Sequence, residues 1–461
     1  MVWNTVLRRA MATPYSFPLL RAWQEERIRR YPILILFIGI SLLLCSLFTS
    51  GKLRLPVFKV PWKTLLAVII MGGILMSLRE WRYYGSPVWD GYGDFSRHFY
   101  YLIFHPGDSN LEAFNLFIQE YAHAGSPLGP FLIGLLNGLF RNITLSYMIL
   151  MILSTLGTAV ILRKILLLFY QFSPQQVIEY LILFFSNCVV MRSLAFPQMD
   201  ALVMFWTTIF LYLAYRYLCN LSENQEGDEL VAATFRSPSY GSLKTASTKP
   251  LFFRMLFHLF RGNNIQLIWI SIAITAAILT KVNGFFLIPI IPIAYIIITW
   301  RKESFRLGEL MRILLYVAVI PLSIFVGFLK WFNILKNFIH ELSLRGVIDT
   351  SGIRFDRNLI LFFITFLIAF QIYSYLILAK ENFRSKKSLP PLLTILVTVL
   401  FLLLGSAPFF LRFFLPIIPA ILLLSISKLE SIRYFRPQLV NLLIVWTITF
   451  NYLVLVLHLY Y

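Results

Sequence analysis

The sequence predicts an all-α, polytopic bundle of membrane-spanning helices, and three observations lead to that prediction. Of the 461 residues, 59% are hydrophobic and only 13% are charged, against a charged fraction of roughly 25% in soluble domains. Apolar runs long enough to cross a bilayer recur along the chain, and most basic residues lie in the short segments between them. In hydrocarbon, backbone polar groups must be satisfied within a helix or a closed barrel, so runs of this length are expected to be helices.

Each apolar run has about the 17–22 residues that a spanning helix needs. The first run is open to two interpretations, because the N-terminal tail and loop 51–63 are both basic and a span between them would place them on opposite sides. We therefore expect eleven or twelve spans. The predicted spans are 32–49, 63–79, 145–162, 176–192, 201–218, 265–280, 284–300, 311–330, 358–379, 391–408, 412–427 and 438–459.

The net charge of +20 is better explained by membrane orientation than by nucleic-acid binding. The basic clusters RIRR, RKESFR, KENFRSKK and KLESIRYFR lie between apolar runs, which is typical of cytoplasmic anchoring by the positive-inside rule. On this orientation Arg79 to Tyr147 faces outward, as do the turns at 192–200, 281–284 and 405–411. The three cysteines, Cys45, Cys188 and Cys219, lie far apart and predict no disulfide framework.

Three segments follow from this organisation. Residues 1–62 form an N-terminal tail with the first apolar segment, 63–430 a membrane core, and 431–461 a C-terminal transmembrane helix. Within the core, 222–249 is rich in Ser, Thr, Gly and charge, which predicts a mobile cytoplasmic loop.

The first predicted outer loop contains apolar stretches that are too short to span. Asp94 to Phe104 reads as an amphipathic helix, with Phe95 and Phe99 on one stripe. Glu112 to Glu120 predicts a second helix of the same kind. The run 127–140 has only about 14 residues with two prolines, so a surface or re-entrant helix is expected.

Acidic residues at the predicted outer face are candidate site residues. Asp90 and Asp94 flank the sequence GYG, and Asp200 opens an apolar run. Charged groups at such depth are costly and are functional candidates by default. The alternative is structural, because Asp94 is also suited to cap a helix.

Isolated basic residues on the same face are the second kind of candidate. Lys281 and Arg412 each lie between apolar runs. They would either snorkel to the interface or hold a phosphate, since ammonium and guanidinium groups stabilise developing anions. Arg97 and His98, beside Asp94, are further candidates for substrate binding.

Five motifs follow the outer aspartates along the chain, in the order SPLGPFLIGLLNGLF, ILRKILLLF, FPQMDALVMFW, TKVNGFFLIP and RFFLPIIP. Their order resembles the GT-C superfamily of membrane glycosyltransferases, and most closely its branch of protein O-mannosyltransferases and aminoarabinose transferases. The resemblance covers about residues 63–430. Many of those enzymes have adjacent Asp and Glu in the first outer loop, whereas here Asp90 and Asp94 are separated, so either could be the base.

The resemblance implies an inverting glycosyltransferase that uses a polyprenyl-phosphate sugar and an acceptor hydroxyl on a lipid, glycan or protein. Asp94 would be the general base, with Asp90 as its substitute or orienter. Asp200 would position the acceptor or a neighbouring cation, while Lys281 and Arg412 would hold the phosphate.

No His/Asp cluster has ligand spacing, so no cofactor is predicted, and a divalent metal is an alternative that the sequence does not indicate. The predicted location is the bacterial plasma membrane, or the endoplasmic reticulum membrane in a eukaryote. The alternatives to an enzyme of this kind are a transporter or flippase of a lipid-linked or amphipathic solute and a glycan polymerase.

Overall fold

The computed structural model of the chain is 91% helical over the residues that it describes. Within those residues it contains no strand, which confirms the predicted all-α class. The described residues are 61–72, 92–120, 126–195, 199–234, 263–300, 305–332, 334–335, 386–404, 411–435 and 437–456.

Fifteen α-helices are described, and they are numbered here in chain order. Short 3-10 helices at Val282–Leu287, Lys386–Ser388 and Leu411–Ile417 precede α10, α13 and α14. The α-helices are α1 (Trp62–Gly72), α2 (Tyr92–Phe104), α3 (Asp108–Glu120), α4 (Leu128–Phe140), α5 (Ile143–Phe169), α6 (Pro174–Ser186), α7 (Cys188–Ala195), α8 (Asp200–Thr234), α9 (Asn263–Thr280), α10 (Ile290–Trp300), α11 (Leu307–Leu314), α12 (Ile320–Trp331), α13 (Leu389–Leu404), α14 (Ile418–Phe435) and α15 (Pro437–Val456).

Five helical segments among the described residues are long and apolar enough to cross a membrane, and five further apolar helices are shorter. A membrane-spanning bundle is therefore confirmed. The predicted spans at 32–49 and 358–379 lie outside the described residues, so the number of spans stays a prediction. The five long segments are Ile143–Phe169, Asp200–Cys219, Val282–Trp300, Leu307–Trp331 and Phe414–Tyr434.

Two predicted boundaries differ from the structure. The run 176–192 is divided between α6 and α7 at Asn187, whose side-chain oxygen accepts from the N–H of Val189 at 2.9 Å. Such a local side-chain bond offers the backbone an alternative to a continuous helix. In addition, α8 continues to Thr234, so the first part of the predicted loop 222–249 is helical, as its Glu, Leu and Ala content allows.

A π-helical turn, Leu315–Val319, joins α11 to α12. Pro321 stands immediately beyond it and lacks the N–H that would bond to the preceding turn. The N–H of Ile320 bonds to the carbonyl of Leu315, so the wider turn lets the helical segment continue through the proline.

The contacts of α8 show how the helices run. Gly157 of α5 lies against Phe205, and Phe169 stacks on Tyr215 with ring centroids 5.2 Å apart. Gly157 precedes Phe169 in α5, and their partners Phe205 and Tyr215 follow in the same order in α8. The two helices therefore run in the same direction. The beginnings of α5 and α8 therefore share one end of the bundle, called here the site end. The other end, where α5 finishes, is called the far end.

The far end contains a largely buried polar network, which is called here the Arg433 network. The Arg433 guanidinium bonds to Glu179 at 2.5 Å and to Glu430 at 3.1 Å. Glu430 also accepts from the Tyr180 hydroxyl at 2.7 Å and from Gln176 at 3.0 Å. These contacts link α6 to α14.

Candidate active site

The site end contains a buried ion pair between Asp200 and Lys281. The Lys281 ammonium donates to both carboxylate oxygens of Asp200, at 2.8 and 2.9 Å. The Asp200 side chain is only 3% exposed, and that of Lys281 is 21% exposed. The residues are far apart in sequence, so the structure reveals a partner for Lys281 that its neighbours in the chain do not supply.

The turn after α9 presents Lys281 to Asp200. Lys281 is extended, with φ −160° and ψ 137°, and it precedes the 3-10 helix Val282–Leu287. The N–H of Gly284 bonds to the Lys281 carbonyl at 2.8 Å. A Cβ at Gly284 would lie 2.5 Å from the backbone of Ala277 and Ile278, so only glycine lets this turn fold back against α9.

Helices α2 and α3, which correspond to the two helices predicted in the first outer loop, pack together through an aromatic layer at the site end. Phe95, Phe99 and Phe114 are buried, with ring centroids of Phe99 and Phe114 5.0 Å apart. Phe114 also contacts Phe332, just beyond α12, at 5.7 Å. Helix α2 begins at Tyr92, so Asp94 lies in the first turn of this helix rather than at its cap position.

Asp94 and Arg97 form the second ion pair of the region, on the exposed side of α2. Arg97 Nη1 donates to Asp94 Oδ1 at 3.2 Å, and the side chains are 50% and 58% exposed for Asp94 and Arg97. Both groups are therefore accessible. Because exposed pairs contribute only about 0–1 kcal/mol, a ligand can replace either partner at little cost.

His98 lies one turn after Asp94 and is held against α3. Its ring stacks on Phe117, with centroids 4.3 Å apart and an interplanar angle of 26°. Burial lowers the pKa of His98 from its ordinary value of 6.5, and the nearby Asp94 carboxylate opposes the shift. The imidazole is therefore neutral at pH 7, where it can both donate and accept a hydrogen bond.

Helix α4 contacts both α2, which carries Asp94 and Arg97, and Met199, the neighbour of Asp200. Gly134 approaches the backbone of α2 at Ser96, and a Cβ there would lie 3.0 Å from the Ser96 carbonyl oxygen. Gly138, further along α4, lies against Phe104, further along α2, so α2 and α4 run in the same direction. Gly129, near the beginning of α4, contacts Met199, the neighbour of Asp200. Asp94 and Asp200 therefore both lie toward the beginning of α4.

An apolar groove of about 330 Å³ runs between α9, α12 and the beginning of α4. Toward the site end it is lined by Leu279, two residues before Lys281, and by Leu128; Asp200 and Lys281 are not among its lining residues. Two of its lining residues, Ile272 and Ile324, are 45% and 48% exposed, so the groove opens on the outside of the bundle. The lining residues are Leu128, Ile268, Ser271, Ile272, Thr275, Ala276, Leu279, Tyr316, Ile320 and Ile324.

The sequence-predicted residues fall into three groups. The structure brings Asp200 and Lys281 together, and it places Asp94, Arg97 and His98 on one helix. Asp90 lies outside the described residues. Arg412 belongs to the 3-10 helix Leu411–Ile417, but its side chain is outside what the structure describes. Within the described residues, no group of three or more His, Cys, Asp or Glu side chains could hold a metal ion.

The groove and its Tyr316 were not predicted from the sequence. Tyr316 lies in the π-helical turn, and its hydroxyl is buried without a hydrogen-bond partner. Pro321, inside an apolar run, was the one available signal, since proline within a helix often accompanies a local irregularity. Which residues face each other across a groove is not contained in hydropathy.

No family model matches the chain, and no curated protein sequence matches it. Two solved structures are similar. ArnT from Cupriavidus metallidurans, bound to undecaprenyl phosphate, is 14% identical with a TM-score of 0.48, over 83% of this chain and 62% of ArnT. The archaeal oligosaccharyltransferase AglB from Archaeoglobus fulgidus, in complex with an inhibitory peptide and a dolichol-phosphate, is 13% identical with a TM-score of 0.46, over 85% of this chain and 55% of AglB.

The chain thus spans less than two thirds of the length of either protein. At identities below 25% and TM-scores below 0.5, these similarities assign no family, substrate or activity to this chain. The residues that the structure describes form an all-α membrane bundle.

Proposed function

We propose that this protein is a membrane glycosyltransferase that moves a hexosyl or pentosyl group from a polyprenyl-phosphate donor to an acceptor hydroxyl. The observation that carries the proposal is the buried Asp200–Lys281 ion pair at the site end, with an apolar groove that reaches Leu279, two residues before Lys281. A cation beside a groove that is open to lipid matches an amphiphile with an anionic head and a hydrocarbon tail.

Lys281 is the proposed contact of the donor phosphate. Its side chain is 21% exposed, so a phosphate oxygen can approach the ammonium while Asp200 still contacts it. Asp200 would act as a positioning residue, because its buried carboxylate holds the Lys281 ammonium in place through both oxygens. Arg412, on the resemblance, would add a second cation to the same phosphate.

Asp94 is the proposed general base. The acceptor O–H proton passes to the Asp94 carboxylate, the acceptor oxygen forms a bond to the anomeric carbon, and the bond from that carbon to the phosphate oxygen breaks. The bonding electron pair leaves with the phosphate. The products are the glycosylated acceptor, with inverted anomeric configuration, and the polyprenyl phosphate. Asp90 remains the alternative base.

The proposed side of the membrane is the outer or lumenal one. It rests on the positive-inside rule and on the common end shared by Asp200, Lys281 and the helices of the first outer loop. The acceptor hydroxyl would belong to a lipid, glycan or protein. A divalent metal is not required by this scheme, because a departing monophosphate can be stabilised by protein cations.

The test is transfer of radiolabelled sugar in membranes supplied with a panel of polyprenyl-phosphate-linked sugars. Asp94→Asn should lower transfer by about 10²- to 10⁴-fold, the usual contribution of a general base, with expression unchanged. Asp108→Asn is the matched control, since Asp108 also lies in the first turn of an outer-loop helix. Equal activity of the two variants would refute Asp94 as the base.

A transport function would give a different result in the same membranes. The labelled lipid-linked sugar would then cross the bilayer without the formation of a glycosylated acceptor. The activity of the Asp94→Asn variant would in that case be measured as translocation of the label. That outcome would overturn the proposed activity.

A further inference from the structure

The groove also bears on how much of the donor lipid the protein recognises. We infer that the protein reads only the few carbon atoms next to the phosphate and leaves the rest of the chain in the bilayer. The inference rests on the proposed function, because it takes the groove as the donor site. It adds a specificity rule, namely that affinity for the donor is nearly independent of lipid length beyond a short minimum.

The size of the groove sets that minimum. Its volume is about 330 Å³, and at about 30 Å³ for a group the size of a water molecule it holds only about eleven groups of that size, comparable to eleven carbon atoms with their hydrogens. This corresponds to roughly two isoprene units. Along α9 the lining residues run from Ile268 to Leu279, a length of about 16 Å at the usual helical rise.

The two ends of the groove show where the chain would leave it. At the site end the groove reaches Leu279, two residues before Lys281, whose ammonium is the proposed contact of the phosphate. At the opposite end the groove reaches Ile268 of α9 and Tyr316, whose side chain is buried. Tyr316 therefore forms part of a wall rather than a passage into the interior of the bundle.

The open side of the groove gives the chain a route into lipid. Ile272 and Ile324 line it and are nearly half exposed, and both belong to apolar helices. Trp269 and Val319, close to them in sequence, are 54% and 51% exposed. The surface around the open side is therefore apolar and faces hydrocarbon in a membrane.

Solvation explains why the extra length would add little affinity. A lipid tail that moves from bilayer hydrocarbon into an apolar groove leaves no water behind, so the hydrophobic effect contributes little. Only the part enclosed by the groove gains shape-dependent packing. Carbon atoms beyond the groove have the same surroundings in the bound and free donor.

The experiment measures binding of farnesyl, geranylgeranyl and undecaprenyl monophosphate to the full-length protein in lipid nanodiscs, with each ligand expressed as a mole fraction of lipid. We expect the three dissociation constants to agree within about threefold. Undecaprenyl monophosphate binding more than about tenfold tighter than farnesyl monophosphate would overturn the inference while leaving the donor class intact. Absence of binding at every length would overturn the donor class as well.

A pair of variants assigns the effect to the groove. Ile324→Trp places a large ring at a lining position, and Leu322→Trp places the same ring on α12 at a residue that is 38% exposed and does not line the groove. Ile324→Trp should weaken all three ligands by a common factor of at least about fivefold, and the control should not.

Ala276→Leu is a second blocking variant, since the Ala276 side chain lines the groove from α9. A leucine at this position cannot turn outward, as an exposed tryptophan can. A ligand series unchanged in both Ile324→Trp and Ala276→Leu would show that the chain binds elsewhere and would refute the inference.

Discussion

Two buried carboxylates at opposite ends of the bundle are paired in different ways. At the far end, Arg433 contacts two carboxylates, Glu179 and Glu430, and Glu430 also accepts a hydrogen bond from the Tyr180 hydroxyl. At the site end, the Lys281 ammonium donates to both oxygens of Asp200, and an apolar groove lined by Leu279 lies nearby. Glu179 and Asp200 are each only 2% exposed, so burial alone does not distinguish the two ends.

The difference indicates separate roles for the two ends. In the Arg433 network the guanidinium is surrounded by protein carboxylates from α6 and α14, which suits a fixed connection between helices. Lys281 is partly exposed beside an apolar groove, which suits contact with an anionic ligand. Buried ion pairs are weak evidence of stability by themselves, so the roles must be separated by experiment.

The largest expected effect comes from removing both charges of a pair at once. Asp200→Asn with Lys281→Met leaves no buried unpaired charge, so the fold should persist, while transfer should fall by at least about 10²-fold, as when one anion-stabilising donor is lost. Radiolabelled sugar transfer measures activity, and thermal unfolding in mild detergent measures the fold.

The corresponding far-end variant is Glu179→Gln with Arg433→Met. It should keep transfer within a few-fold of the unaltered protein, because the Arg433 network lies at the opposite end from the groove. Equal losses of transfer in the two double variants would remove the proposed distinction between the ends.

A single substitution in the Arg433 network should have the largest effect on stability. Arg433→Met leaves Glu179 buried without its cation, which should lower the free energy of unfolding by about 3–5 kcal/mol. Arg97→Met is the comparison, because Asp94 is half exposed and the loss should stay below about 1 kcal/mol. Denaturant titration in detergent would detect the difference, and similar losses would contradict it.

A smaller effect is expected at the turn that presents Lys281. Gly284→Ala forces a methyl group against the backbone of α9, which should cost about 1–3 kcal/mol of stability and weaken donor use through displacement of Lys281. Gly308→Ala in α11 has nothing within 4 Å of the new Cβ. It should be neutral or stabilise by up to about 1 kcal/mol. Thermal unfolding of both variants tests this, and a neutral Gly284→Ala would refute the packing argument.

The smallest expected effect concerns pH and the site end. Because burial lowers the pKa of His98 below 6.5, the unfolded chain binds a proton before the folded one does. The stabilising contribution is therefore complete above about pH 6.5 and is lost as the pH falls through the folded pKa. His98→Phe should flatten the dependence of unfolding temperature on pH between about pH 8 and pH 5. An unchanged slope would exclude His98 as its source.

Much of the outer loop could be predicted from the sequence because its signals are local. The stripe of Phe95 and Phe99 predicted the buried face of α2, and the short run 127–140 predicted the short helix α4. The Asp94–Arg97 pair is also local, since residues three apart lie on one side of a helix. The beginning of α2 at Tyr92 was missed, because glycine and tyrosine give only weak boundary signals.

Long-range features could not be predicted in the same way. The sequence suggested that Asp200 and Lys281 share a side of the membrane, because the orientation of the spans can be inferred from the positions of the basic clusters alone. Their direct bond depends on the packing of α8 against α9 and on the turn at Gly284. The Arg433 network was missed entirely, since Glu179 and Arg433 each look like ordinary charged residues near a helix end.

The sequence by itself determined that this protein is a helical membrane bundle, because hydropathy and charge bias report how each segment is solvated. It also determined which acidic and basic residues stand out on one face. The tertiary structure alone decided which of them are partners, where an apolar groove opens on the outside of the bundle, and which charged groups link α6 to α14. Those properties depend on distances between helices that are far apart in the chain, and no local pattern of residues encodes such distances.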